Sequence, residues 1–143
     1  MMTQSINKVI LIGYLGSDPE LRTTINGTYV TNVSLVTSTP WKDKQSGEVK
    51  NHTEWHKLVF YNKLAEVVGE YLSKGDKIYI EGHLRTRRWQ SQKDSSHSIT
   101  EIIADEMQPL SNKTLTKNTH YASWYGKHQM GAKQLTRTGL INH

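Results

Sequence analysis

Apolar and polar positions in this chain alternate with a period of two, switch once to a period of 3.6, and then switch back. Residues 7–15, NKVILIGYL, form a β-branched run that stops at Gly16-Ser17-Asp18-Pro19, where glycine and proline end pairing. The Asn26-Gly27 pair predicts a tight turn. After it, TYVTNVSLVTS, with Val33 and Leu35 alternating, predicts a second strand that ends before Pro40. A long polar hairpin, WKDKQSGEVKNHTEW, follows, with Ser46-Gly47 near its middle and a tryptophan at each end. The third strand, TEWHKLVFY, is expected over residues 53–61.

The period then changes, because Leu64, Val67, Val68, Tyr71 and Leu72 recur at i, i+3, i+4, i+7 and i+8, one stripe of an amphipathic helix. Asn62 is the expected N-cap, and Ser73-Lys74-Gly75 offers a basic last turn with glycine beyond it. KIYIEGHL reads as a fourth strand, and SITEIIA, residues 98–104, as a fifth across the polar loop QSQKDSS. Five short strands and one helix between strands 3 and 4 predict an all-β fold. It is a strongly curved sheet closing into a Greek-key barrel of the oligonucleotide-binding (OB) type. Beyond Met107-Gln108-Pro109 the apolar periodicity is gone. The chain therefore divides into a barrel domain over residues 1–108 and a disordered or loosely ordered basic tail over 109–143.

Charge refines this division. The net charge is +5, yet residues 1–110 hold 13 Lys and Arg against 13 Asp and Glu, while residues 111–143 hold five cations and no acid. A polyanion site on the barrel must therefore come from local sorting of charge onto one face. The absence of cysteine excludes disulfides and Cys-ligated zinc and suits a reducing, cytoplasmic setting. No apolar run is long enough for a membrane helix, so no membrane association is expected.

The third strand carries the candidate chemistry. Side chains alternate faces along a strand, so Trp55, Lys57, Val59 and Tyr61 point one way and His56, Leu58 and Phe60 the other. The first face offers ring, cation and ring along roughly 20 Å of extended chain, a spacing suited to successive splayed bases. Arg85, Arg87 and Trp89 share a face on the next strand, and Trp41 lies at the long hairpin beside Lys42 and Lys44. Single-stranded nucleic acid exposes both π-faces and phosphates, so a surface mixing rings with cations grips it whatever its sequence. Tryptophans in a small barrel also serve as core. Three that each lie within two or three residues of Lys or Arg favour the surface instead. Candidate stacking residues are thus Trp41, Trp55, Tyr61 and Trp89. Candidate phosphate contacts are Lys8, Arg22, Lys44, Lys50, Lys57, Lys63, Lys74, Arg85 and Arg87.

The blocks NKVILIGYLGSDPELR and TEWHKLVFYNKLAEVVGEYLSKGDKIYIEGHLRTRRW closely resemble the bacterial and plasmid single-stranded DNA-binding proteins, over about residues 5–107. The resemblance implies an OB barrel that assembles as a homotetramer and coats single-stranded DNA during replication, recombination and repair. It implies a nucleoid-associated location and neither catalytic activity nor a cofactor. It also implies that Trp41, Trp55 and Trp89 are the family's stacking tryptophans and that Tyr61 stands where the family has a stacking phenylalanine. His56, by the same resemblance, belongs at a subunit interface. Members usually end in an acidic, Phe-terminated tip that recruits replication and repair enzymes, whereas this sequence ends TRTGLINH, leaving that recruitment without its usual element. The tail is a divergent or frame-shifted end, an idle extension, or a basic arm with Trp124 and Tyr125 that adds nucleic-acid contacts.

Other readings stay open. An RNA-binding or primosome-type OB module would use the same rings and cations. A protein-binding barrel would use the aromatics as interface anchors. A nuclease would need clustered carboxylates, and Asp18, Glu20, Asp43 and Glu48 are dispersed. A metal site would draw on His52, Glu54 and His56 at i, i+2 and i+4; without a recognised ligand motif, no metal is expected.

Overall fold

Residues 4–93 and 95–110 are described by a computed structural model. The tail assigned to residues 111–143 lies outside the described residues. Among the described residues, six strands and one helix follow in the order β1 (Val9–Leu15), β2 (Glu20–Thr23), β3 (Tyr29–Lys42), β4 (Val49–Tyr61), α1 (Asn62–Tyr71), β5 (Lys77–Gln90) and β6 (Ser96–Pro109). They form one sheet, β1-β5-β6-β4-β3-β2, and β1 returns to β3 through Tyr14 opposite Val36 and Leu15 opposite Leu35. That return closes a five-stranded barrel of the OB type, and β2 clips onto the free stretch of β3.

The alternation seen in the sequence fills the barrel. Leu15, Leu35, Leu58, Phe60, Ile78, Ile80 and Met107 are fully buried, joined by Val33, Ile102 and Ala104. Helix α1 plugs one end by burying Ala65, Val67 and Val68, with Leu64 and Tyr71 packed at the margin of the same core. Thr31 is sealed beneath the helix and donates its hydroxyl to the Ala65 carbonyl at 2.7 Å. Among the described residues, no helix is long and apolar enough to cross a membrane.

Several local expectations are corrected. The second strand does not stop before Pro40: β3 runs through it to Lys42, with Pro40 opposite Asn51. Beyond Val36, β3 pairs with β4 alone, so one edge is open and a residue lacking an N–H sacrifices no ladder bond there. The third strand begins at Val49 rather than Thr53, which turns the polar hairpin into two long paired arms around a tight turn. Asp43 holds that turn by accepting bonds from the Gln45 amide and the Ser46 hydroxyl, at 3.0 and 3.1 Å.

The fourth and fifth strands likewise run on to Gln90 and Pro109. The sequence pattern does not predict β2, because ELRT is short and exposed at every position and shows no alternation. Asn62 is not the N-cap. It is the first helical residue, in the left-handed region at φ 58°, and Tyr61 precedes it without a side-chain cap bond. Asparagine tolerates that conformation better than most residues. No basic residue lies in the last helical turn either, since the helix ends before Lys74, whose amide donates instead to Asp18 at 2.9 Å.

Candidate nucleic-acid interface

Strand register decides which side chains can meet. In β4 the odd-numbered residues from Trp55 to Tyr61 share the outer face of the sheet. Pairing carries that face to Asn32, Ser34 and Val36 on β3 and, by way of β6, to Arg85, Arg87 and Trp89 on β5. Arg22, opposite Val30, joins it from β2. The result is one continuous surface across β2, β3, β4, β6 and β5. Two adjoining hollows cross it, of about 390 and 380 Å³, and Arg22, Asn32, Arg87 and Glu101 line both.

The rings are not core. Trp41, Trp55 and Trp89 are 48, 63 and 48% exposed, while the neighbouring Leu58 and Phe60 on β4 are sealed. The Trp55 indole packs against Gly16, where a Cβ would come 2.5 Å from the ring, so glycine is what lets the indole settle onto the barrel wall. Trp89 stacks on His97 across β5 and β6 with centroids 5.6 Å apart. Trp41 faces Lys50, whose ammonium is 5.6 Å from its ring. By the same register Trp41 shares its face with Lys50, His52 and Glu54. It therefore sits on the opposite side of the β3–β4 hairpin from Trp55. Sequence spacing did not separate these two rings; strand pairing does.

The floor of the surface holds a charged residue that sequence reasoning missed. Glu101, on β6, is only 4% exposed. Its Oε1 accepts from Arg87 Nε at 2.6 Å and from Arg85 Nη2 at 3.2 Å, and its Oε2 accepts from Arg87 Nη2 at 3.3 Å. Burial pushes the Glu101 carboxyl up, but the bonds from Arg87 and Arg85 outweigh it and hold the group below the ordinary glutamate value. Arg85 Nη2 also donates to the Tyr61 hydroxyl at 2.7 Å, a bond that raises the arginine's own pKa. Tyr61, Arg85, Glu101 and Arg87 are thus one hydrogen-bonded chain. It is strand register that reveals the acid, by setting Glu101 directly opposite Arg85 on the neighbouring strand.

The remaining candidate cations divide. Lys57 is exposed on the ring-bearing face and lines the second hollow with Arg22 and Arg87. Lys44 and Lys50 belong to the β3–β4 hairpin, where Lys50 lies 3.6 Å from Asp43. Lys8 stands elsewhere, bonded to Glu81 at 2.8 Å, and Lys63 is turned to Glu66 on its own helix at 3.1 Å. Lys74 follows the helix, beside Asp18.

His52, Glu54 and His56 do not converge on one point. His52 pairs with Glu54 at 3.0 Å, while His56 turns to the Thr37 hydroxyl at 2.9 Å. Among the described residues, no group of three or more His, Asp or Glu gathers in a way that would hold a metal ion.

Comparison with known proteins agrees with this architecture. A model of the Single-strand binding protein family matches residues 6–110. Among solved structures, a Plasmodium falciparum SSB in complex with ssDNA is 34% identical with a TM-score of 0.70, the match covering 78% of this chain and all of that one. A deletion mutant of the single-stranded DNA binding protein from Thermus aquaticus is 29% identical with a TM-score of 0.65, covering 75% of this chain and 51% of that one. Barrel, helix plug and family match together place the chain in the single-strand binding protein family.

Proposed function

We propose that this protein binds and protects single-stranded DNA without sequence preference, in replication, recombination and repair. Bases would stack on Trp55, Tyr61 and Trp89 along one face and on Trp41 across the hairpin. Arg22, Lys57, Arg85 and Arg87 would neutralise phosphates between them, with Lys44 and Lys50 extending the track along the hairpin. The observation that carries this reading is the row of half-exposed rings beside cations on a single continuous face. Each stacked base contributes about 1 to 3 kcal/mol and needs no particular edge chemistry. A duplex hides its π-faces and would bind poorly.

Binding rather than hydrolysis is also what the acidic groups support. Asp43 accepts bonds within a hairpin turn and Asp18 from a backbone amide, and among the described residues no group of three or more His, Asp or Glu gathers in a way that would hold a metal ion. Competition between oligo-dT, oligo-rU and duplex DNA of equal length tests the substrate class. Oligo-dT should displace a labelled strand best, and a marked preference for oligo-rU would replace this reading with an RNA-binding one.

A homotetramer is the expected assembly. In its support, β1 pairs with β5 along one edge, whereas only Tyr14 and Leu15 find partners on the other, and Ile10 and Ile12 are exposed. Gel filtration with light scattering should give a mass near four subunits; a monomer at micromolar concentration would contradict it.

A further inference from the structure

We infer that Glu101 is the positioning residue of the single-strand cleft, fixing Arg87 as a preset phosphate donor and, through Arg85, bracing the ring of Tyr61. The inference rests on the single-strand-binding reading above and names how its central cleft is built. A buried carboxylate on the floor of a polyanion site repels the ligand, so its presence there calls for a compensating role.

Geometry supplies that role. Glu101 takes Arg87 side-on through Nε and Nη2, which fixes the guanidinium plane and leaves Nη1 free of that fork to reach the cleft. Without the acid, two adjacent guanidiniums would repel and each would sample many rotamers. Binding would then have to order them, at about 0.5 to 1.5 kcal/mol for each side chain.

The second arm runs through Tyr61. Arg85 bonds the phenol oxygen, and its guanidinium carbon stands 5.6 Å from the ring centroid. The cation therefore stands over the ring as well as bonding its hydroxyl, so the ring is braced from the arginine's side. Valines 30 and 59 form the apolar wall beside it, and Asn32 and Arg22 complete the hollow. One nucleotide is thereby offered a braced ring and a preset cation together.

The test measures oligo-dT affinity at several salt concentrations for wild type, Glu101→Gln, Tyr61→Phe, Arg87→Lys, Arg87→Gln and Trp55→Ala. Positioning predicts that Glu101→Gln weakens binding about tenfold although it adds a net positive charge, with a salt slope no shallower than wild type. Arg87→Lys keeps the charge but lacks the planar fork, and should weaken binding by a similar factor at unchanged slope. Arg87→Gln should lower the slope by about 0.7, the value of one single-strand phosphate contact. Tyr61→Phe loses only the brace and should weaken binding about threefold at unchanged slope.

Wild-type or tighter binding by Glu101→Gln would overturn the inference and make the acid a mere charge screen. If Glu101→Gln does not fold, Arg87→Lys and Tyr61→Phe decide, and wild-type affinity in both overturns it equally. Trp55→Ala separates the two levels: wild-type affinity in this variant defeats the stacking reading itself, whatever Glu101 does.

Discussion

Strands β4 and β5 each consist of two unlike halves. Within the barrel, Leu58, Val59 and Phe60 of β4 are buried in succession, and Ile78 and Ile80 of β5 are sealed. Beyond it, Val49–Trp55 are exposed on both faces, as are Thr86–Gln90. The outer halves owe their order to ladder bonds, to cross-strand hydroxyl pairs such as Thr86 with Thr100 at 2.9 Å, and to the Trp89–His97 stack. One continuous strand thus serves stability at one end and presents rings at the other. Substitutions in the two halves should therefore fail in different ways.

The largest effect is expected inside. Phe60→Ala empties the centre of the barrel and should cost about 3 to 5 kcal/mol of unfolding free energy by chemical denaturation. Trp55→Ala, five residues earlier on the same strand, should weaken oligo-dT binding by about 1 to 3 kcal/mol while moving the denaturation midpoint little. A comparable stability loss in both variants would erase the distinction between the halves.

Gly16→Ala joins them, because its methyl would meet the Trp55 indole and push it off the barrel wall. Affinity should fall by roughly 1 kcal/mol, less than on deleting the ring. Glu101 sharpens the comparison through pH. Its folded pKa lies below the ordinary value of 4.5, so its stabilising contribution is complete above that value and is lost as pH falls through the lower folded one. The stability gap between wild type and Glu101→Gln should accordingly shrink in denaturation curves taken below pH 4.5. Trp41→Ala should have the smallest effect on short oligonucleotides that span only the Trp55 face, and a growing one as the strand lengthens enough to cross the hairpin. An equal loss at every length would place Trp41 on the same track as Trp55.

Much of this was legible in the sequence, for identifiable reasons. Alternation in TEWHKLVFY gave the faces of β4, and the 3.6 period of Leu64, Val67, Val68, Tyr71 and Leu72 gave the helix with its buried side. Rings next to cations pointed to the exposed tryptophans. Where the chain is polar on both faces, periodicity falls silent. That is why the pattern marks the polar hairpin but not the strand extent of its arms, does not predict β2, and ends the second strand before Pro40. The opposite facing of Trp41 and Trp55 depends on register between two strands, which no single strand reveals. Glu101 was hidden similarly, since an acid near the centre of SITEIIA is recognisable as buried only once Arg85 and Arg87 are placed beside it.

Tryptophan emission during titration with oligo-dT tests the central claim most directly, because the indoles open to solvent are the ones assigned to the DNA. Strong quenching that saturates with added strand, and becomes shallower in Trp55→Ala and again in Trp89→Ala, is the expected result. Emission that stays constant while the strand is demonstrably bound would show that the rings take no part in binding.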